Sequence, residues 1–179
     1  MIAVDTNILV YAHSAGSPWH QAARRRLDLL VESNEAWAVP WPCIHEFVSV
    51  VTHPRILKPP TPQHRAIEQV EAILASPGLV VLAETAAHWP VLRDLLITSR
   101  ASGGLVHDAR IAALCLEHGV HELWTADRDF ERFAGLRTYN PLADEAVHDA
   151  SPSWAAAVRA RADGRRRAAA RAREARTST

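Results

Sequence analysis

Short apolar runs alternate with segments of helical periodicity from the N-terminus to about residue 140. The apolar runs have strand length and predict β-strands at 2–4, 36–39, 79–82, 122–124 and 136–139. The segments between them repeat their apolar residues every three or four positions, which predicts helices at 18–33, 42–52, 62–75, 85–99 and 106–118. This order is typical of an α/β domain with a mostly parallel sheet.

Local signals place the ends of several predicted helices. Ser17 is a plausible N-cap for the first helix, and Thr85 is a plausible cap for the fourth. We expect the six tryptophans in the core or in interfaces and not as base-stacking surfaces, and we expect Trp41 and Trp89, each beside a proline, to pack at helix starts. The pattern shows a break near residues 14–18, and it assigns no element between Asp5 and that break.

The composition favours one folded domain with an appendage. The chain has 179 residues, of which 48% are hydrophobic and 22% are charged, so wholesale disorder and fibrous structure are excluded. Helix and strand periodicity weakens after Pro141, and residues 155–176 are rich in alanine and arginine. We therefore expect a domain over residues 1–142 and a basic C-terminal extension over 143–179 that is helical or disordered.

The net charge of zero conceals an uneven distribution of charge. Residues 151–179 hold eight arginines and two acidic residues, whereas the first 150 residues hold 12 basic and 18 acidic residues. The basic extension is a solvated appendage, a binding segment for RNA phosphates, or a segment that docks on its own acidic body or on a partner. The candidate phosphate contacts in it are Arg165, Arg166 and Arg167.

The cysteines, the apolar runs and the N-terminal segment indicate the cellular compartment of the protein. Cys43 and Cys115 lie far apart and form no metal-binding pair, so they are expected to be reduced core thiols. No run of 18 apolar residues predicts a membrane span, and the N-terminus carries no signal-peptide pattern before Asp5. We expect a cytoplasmic protein without a membrane partner.

Acidic residues fall where strands end and helices begin. Asp5 ends the first strand, Glu46 and Asp108 lie in the first turns of two helices, and Asp127 follows the strand at 122–124, with Asp129 two residues later. In a parallel sheet, strand ends and helix starts share one edge, which is where such folds bind ligands. We therefore expect these carboxylates to converge.

Converging carboxylates need a counter-ion. Two carboxylates a few ångströms apart cannot both ionise at low cost, and a divalent cation offsets that repulsion. Oxygen ligands suit Mg²⁺ or Mn²⁺, and an open magnesium site invites a phosphodiester. The alternative for Asp108 and Asp127 is helix or turn capping alone, and the apolar neighbours of Glu46 favour turning its side chain toward the interior. Asp5 is hardest to explain structurally, because it follows a buried strand.

These acidic segments, taken together, resemble a known family. Asp5-Thr6-Asn7, Glu46, Asp108-Ala-Arg-Ile-Ala-Ala113 and Thr125-Ala-Asp127-Arg-Asp129-Phe130 occur in the order found in PIN-domain ribonucleases. The segment His53-Pro54-Arg55-Ile56 further resembles the VapC toxins of bacterial toxin–antitoxin pairs. The resemblance covers residues 1 to about 142 and does not extend to the basic extension.

The resemblance implies a three-layer α/β/α fold and a metal-dependent endoribonuclease. It implies that Mg²⁺ or Mn²⁺ is held by the acidic residues Asp5, Glu46, Asp108 and Asp127, with Asp129 binding a second ion or supporting the first. It also places small polar residues beside the metal, here Thr6, Asn7 and Thr125. The implied partners are an RNA substrate, a small antitoxin across the acidic groove, and a second copy in a homodimer.

Other functions and roles stay open at this point. A haloacid dehalogenase-type phosphatase also begins with a strand ending in aspartate, but it needs a second acid where Asn7 stands. A non-catalytic RNA-binding or interaction module on the same fold would not need all four acids. Arg110, two residues after Asp108, is either a surface salt-bridge residue or a phosphate contact.

Deletion of residues 151–179 tests whether the basic extension binds RNA. If its arginines displace counterions from phosphates, the truncated protein binds RNA more weakly and with a flatter salt dependence. Binding of a labelled RNA measured across a series of salt concentrations checks this, and an unchanged salt slope would rule out the RNA-binding interpretation.

Overall fold

A computed structural model describes residues 1–33 and 35–143. Within this part of the chain five strands form: β1 (Ile2–Val4), β2 (Trp37–Pro40), β3 (Leu79–Leu82), β4 (Glu122–Trp124) and β5 (Thr138–Tyr139). Six α-helices accompany them: α1 (Thr6–His13), α2 (His20–Glu32), α3 (Trp41–Val51), α4 (Gln63–Leu74), α5 (His88–Ser99) and α6 (Leu105–Glu117). A 3₁₀ turn spans Arg128–Arg132.

The strands make one parallel sheet in the order β3-β2-β1-β4-β5. The central strand β1 pairs with β2 through Ile2 and Trp37, and with β4 through Ile2 and Glu122. The helices flank this sheet in three α/β/α layers, which confirms the predicted fold class. Because every strand runs the same way, the residues after all the strands meet at one edge of the sheet.

The core lies on the central strands, which are covered on both faces. Ala3 and Val4 of β1 and Ala38 and Val39 of β2 are completely buried, as is usual for parallel strands between two helical layers. The two predicted core thiols, Cys43 and Cys115, are buried and free, as expected. The carboxyl edge of the sheet is thus anchored to a rigid apolar interior.

The main difference from the sequence prediction is helix α1, which periodicity did not reveal. Ile8, Leu9, Val10 and Tyr11 are all buried, so the helix has no polar face to mark it. Its start is set by Asp5, whose side chain caps the first turn. The same aspartate that was singled out for chemistry therefore also initiates a helix.

Two predicted caps and one predicted contact need correction. Ser17 accepts a hydrogen bond from the Trp19 N–H, one turn ahead of α2, and Thr85 likewise caps a turn before α5. Trp41 stands at the start of α3 and packs there on the His45 ring, as predicted, although 37% of it is exposed. Trp89 also stands at a helix start, but it is 63% exposed, so the expected packing is wrong for this residue.

The predicted extension falls largely beyond the part of the chain that the structure describes. Residues 144–179, with Arg165, Arg166 and Arg167, lie outside the described residues. In the part that is described, no helix has both the length and the apolar character to cross a membrane.

Replacing a core leucine of the sheet tests how much the buried strands contribute. Leu123→Ala on β4 removes a completely buried side chain, and we expect it to lower the free energy of unfolding by about 2–5 kcal/mol. Leu29→Ala, at a site 59% exposed on α2, is the matched control and should change it by less than about 0.5 kcal/mol. Urea unfolding followed by circular dichroism measures both, and equal effects would contradict the assigned core.

Candidate active site at the carboxyl edge of the sheet

Asp5 is the buried centre of the site. It directly follows β1, and its backbone N–H donates to the carbonyl of Trp124 at 3.0 Å, which ties the strand end to β4. Its side chain is only 4% exposed, and Oδ1 accepts a hydrogen bond from the Thr6 N–H at 2.7 Å. The start of α1 therefore holds one carboxylate oxygen in place.

The other oxygen of Asp5 is held by two of the predicted supporting residues. Thr125 Oγ1 donates to Asp5 Oδ2 at 2.7 Å, and Asn7 Nδ2 also donates to that oxygen. Asn7 Nδ2 lies 2.9 Å from Thr125 Oγ1, and Asn7 Oδ1 accepts from the Ala126 N–H at 3.1 Å. Asn7 thus links α1 to the segment after β4 and fixes the orientation of the Asp5 carboxylate.

Glu46 lies at the surface of the site and not in the interior. Its side chain is exposed, contrary to the expectation from its apolar neighbours, because Cys43, Ile44 and Phe47 occupy the buried face of α3. Its Oε2 accepts a hydrogen bond from Thr6 Oγ1 at 3.1 Å. Thr6 therefore connects the first turn of α1, which also binds Asp5, with the carboxylate on α3.

Asp127 and Asp129 form the outer side of the site, after β4. Asp127 is exposed and caps the 3₁₀ turn, with Oδ1 accepting from the Asp129 N–H at 2.9 Å. The Asp127 N–H donates to Thr125 Oγ1 at 3.0 Å, so this segment is tied to the same threonine that binds Asp5. Asp129 forms an ion pair with Arg132 at 3.3 Å. Asp127 therefore caps a turn, as the alternative interpretation predicted, and its charge also acts on Asp5 and Asp108.

Asp108 stands in the first turn of α6 and is half-buried. Burial, followed by the charges of Asp5, Asp127, Glu46 and Asp129, raises the pKa of Asp108 to about 8. The four neighbours come from the segments after β1, β2 and β4. The charges of the five predicted acids therefore interact, and we call these residues the acidic cluster: Asp5, Glu46, Asp108, Asp127 and Asp129.

The pKa of Asp5 is raised for the same reasons. Burial is the largest cause, the charges of Glu46 and Asp127 add to it, and the pKa of Asp5 reaches about 7 although Thr125 and Thr6 hydrogen bonds oppose the shift. An aspartate that keeps a charge here at neutral pH needs an additional positive partner. The cluster is thus arranged to gain stability from a bound cation.

The donor set fits a hard divalent cation in an open site. All the candidate ligands are carboxylate oxygens, which Mg²⁺ and Mn²⁺ prefer. Among the described residues, no three His, Cys, Asp or Glu side chains are gathered into a ready-made metal cage. Mg²⁺ commonly takes only one or two carboxylates and completes its shell with water and substrate phosphate. Asp5 and Asp108, whose charges interact, are two carboxylates of this kind.

Arg110 binds Glu84, which is not one of the five predicted acids. Its Nε donates to Glu84 Oε1 at 2.6 Å, so the salt-bridge interpretation of this arginine is confirmed. Its predicted contact with RNA stays a prediction.

An open groove lies on α3 and α6, the helices that also carry Glu46 and Asp108, and sequence reasoning missed it. The groove has a volume of about 350 Å³ and is lined by residues of α3, α6, the end of β3 and the segment after it, chiefly Trp41, His45, Leu82, Glu84, Arg110 and Leu114. The signal was present for one of them: Glu84 follows β3 almost directly, as Asp5 follows β1. The strand-end argument would therefore have found it.

Comparison with known proteins decides the family. The model of the PIN domain matches residues 2–136. Ribonuclease VapC48 of Mycobacterium tuberculosis is 32% identical over 138 residues, which is 77% of this chain and 95% of the relative. The VapC ribonuclease Mb2897 of Mycobacterium bovis is 37% identical over 142 residues, 79% of this chain and 96% of the relative. The chain belongs to the PIN-domain family.

Solved structures show the same fold. VapC20 of Mycobacterium tuberculosis, described as a sarcin–ricin loop cleaving toxin, aligns with a TM-score of 0.55 at 21% identity, covering 73% of this chain and 93% of that chain. VapBC2 from Rickettsia felis, bound to a DNA fragment from its promoter, aligns with a TM-score of 0.58 at 20% identity, covering 78% and 98%. Membership of the PIN family speaks against the haloacid dehalogenase alternative.

Neutralising Asp108 should change how the stability of this PIN domain depends on pH. The folded pKa of about 8 exceeds the ordinary value of 3.8, so the folded state binds the proton more tightly than the unfolded state. Without metal, this group therefore makes the wild type less stable as the pH rises from about 4 to about 8. We expect Asp108→Asn to be more stable than wild type by about 1–3 kcal/mol at pH 8.5, with the gain shrinking at pH 4.5.

Urea unfolding in the presence of a chelator measures this difference. Asp94→Asn is the control, because Asp94 is exposed on α5 and paired with Arg93, away from the cluster. A gain for Asp108→Asn that is the same at both pH values would contradict the assigned electrostatic field.

Proposed function

We propose that this PIN domain is an endoribonuclease that uses Mg²⁺ or Mn²⁺ to hydrolyse RNA phosphodiester bonds. One observation carries the proposal: a buried aspartate, held by hydrogen bonds to both of its oxygens, shares an uncompensated negative field with Asp108. A structural role for either residue gains nothing from that repulsion. A site for a cation and an anionic substrate does, because the cation neutralises both.

We assign cation binding to two acids of the site and the orientation of one of them to two polar neighbours. Asp5 and Asp108 would hold the cation, and Asn7 and Thr125 keep the Asp5 carboxylate oriented toward it. When bound, such a cation lowers the pKa of a water molecule and neutralises charge that builds up on the phosphate.

The exposed carboxylates at the surface of the site have a separate role. Glu46, which is exposed and anchored through Thr6, would accept a proton from the attacking water. Asp127 and Asp129 complete the negative field on the β4 side and would bind or support a further ion.

The biological role follows from the relatives. They are named VapC ribonucleases, and solved neighbours include VapBC complexes. We propose that this chain is the toxin of a toxin–antitoxin pair, restrained by a small antitoxin whose cationic segment binds the acidic cluster, and that it pairs with a second copy of itself. An RNA substrate would place this activity in the cytoplasm.

A second candidate is a non-catalytic RNA-binding module on the same fold. The observation in its favour is that no preformed metal cage exists among the described residues. Titration with Mn²⁺ separates the two, since a module without a working site should bind the ion weakly and should not cleave RNA.

Cleavage of cellular RNA by the purified full-length protein tests the proposed function. With Mg²⁺ the wild type should produce discrete fragments, and a chelator should abolish them. Asp5→Ala and Asp108→Ala should each lower the cleavage rate by at least about 100-fold, because each removes a charge that holds the cation. The fragments mapped in total RNA would also define the preferred sequence.

The control for this experiment is Asp94→Ala, which alters an exposed aspartate outside the cluster and should cleave at the wild-type rate. Circular dichroism shows whether each variant is folded. A folded Asp108→Ala variant that cleaves as fast as the wild type would refute the assignment of the site.

A further inference from the structure

We propose that the groove on α3 and α6, the helices that also carry Glu46 and Asp108, binds one nucleobase of the RNA strand, close to the phosphate that is cleaved, by stacking it on Trp41. This inference rests on the proposed function and adds a specificity element to it. The groove volume of about 350 Å³ falls within the range of small-ligand sites, roughly 300–1,000 Å³. The occupant is thus of the size of a single base and its sugar, and smaller than a folded partner.

The position of the groove places it along the path of a bound strand. The groove is built after β2 and β3, where Trp41 and Glu84 follow their strands, and Asp5 follows β1 in the same sheet. Neighbouring strands are about 4.8 Å apart, so the groove lies about 5–10 Å along the sheet edge from the Asp5 position. A nucleotide adjacent to the scissile phosphate spans that distance.

Both helices of the groove also carry residues of the cluster. His45 precedes Glu46 on α3, and Arg110 follows Asp108 by two residues on α6. The same two helices therefore present carboxylates on one face and the groove on another. A strand held at the carboxylates therefore lies against the same two helices that line the groove.

Trp41 supplies the stacking surface. It is the first residue of α3, it is more than one-third exposed, and it lines the groove. Its ring stacks on His45 with centroids 5.7 Å apart and an interplanar angle of 22°, so the indole is held in a defined orientation. Single-stranded RNA is commonly bound by stacking its unpaired bases on aromatic side chains.

The Arg110–Glu84 pair supplies polar groups for the edge of the base. The guanidinium and the carboxylate are joined at 2.6 Å, and both side chains are part-exposed in the groove. Glu84 also lies 3.8 Å from His88 Nε2, which helps to fix its position. An arginine donor beside a glutamate acceptor matches a base edge, on which donors and acceptors are adjacent.

The observations favour a nucleobase over a protein segment. The groove holds one cation and one anion in contact, so it has no net charge of its own to attract a cationic peptide, unlike the acidic cluster. Its aromatic stack and its polar pair match the face and the edge of a base. Binding of an antitoxin segment in this groove is the competing outcome that the experiment must separate.

Substitution of Trp41 in the full-length protein is the first part of the test. Single-turnover cleavage of a short RNA that contains a mapped cut site is measured with Mg²⁺. Trp41→Leu removes stacking and should lower kcat/KM by about 5- to 100-fold, whereas Trp41→Phe keeps a stacking ring and should stay within a few-fold of wild type. Trp89→Leu is the matched control, an exposed tryptophan beside a proline at the start of α5, and should not change the rate.

A scan of abasic nucleotides along the same RNA is the second part. In the wild type, removing the base at one position beside the cut should lower kcat/KM by a similar factor. In Trp41→Leu, removing that same base should cost nothing further, because the contact is already lost. If Trp41→Leu does not fold, Arg110→Met replaces it with the same readout, since it removes the polar pair and leaves the stack.

The possible results of the two experiments separate a failure of this inference from a failure of the proposed function. A wild type that cleaves while Trp41→Leu cleaves equally well, or while the two losses are additive, overturns the inference and leaves the proposed function standing. Unchanged cleavage with lost binding of the purified antitoxin would assign the groove to a protein and also overturn it. A wild type that cleaves no RNA overturns both.

Discussion

Burial of a negative charge at the end of β1 is the constraint on which this site depends. Asp5 is almost inaccessible to water, and a carboxylate in such a place is stable only if its oxygens are hydrogen-bonded. The bonds come from the start of α1, from the Cys43 thiol on α3 and from the segment after β4, three parts of the chain that meet at this sheet edge. The site is therefore preorganised by the contacts that make Asp5 tolerable.

Burial of Asp5 among other acids also has an electrostatic cost, which a bound cation would offset. Burial is the main reason that the pKa of both Asp5 and Asp108 is raised, and the charges of Glu46 and Asp127 raise both pKa values further. A protein whose total stability is about 5–15 kcal/mol does not gather like charges without a reason. A cation that binds there converts the repulsion into attraction for every carboxylate in the cluster.

The parallel topology brings the acidic residues and the proposed base-binding groove to the same edge of the sheet. β1 lies at the centre of the sheet, so the acids after β1, β2 and β4 surround one point. The groove extends the same edge toward β3, where Trp41 and Glu84 are not needed to hold a metal.

The sequence by itself determined the alternation of strands and helices, the parallel sheet and the positions of the acidic residues at one edge. These follow from local periodicity and from the geometry of parallel strands, which do not depend on distant contacts. It also pointed to the supporting roles of Asn7 and Thr125, through the resemblance to the PIN family. The structure places both on the Asp5 carboxylate.

Only the tertiary structure decided the features that depend on which elements pack together. Four consecutive residues of helix α1, residues 8–11, are buried, so its sequence carries no helical stripe and its existence depends on its neighbours. The exposure of Glu46 was decided by which face of α3 meets the core, and the partner of Arg110 by the approach of α6 to the segment after β3. The groove exists for the same reason, because its residues are distant in the chain and share no local pattern.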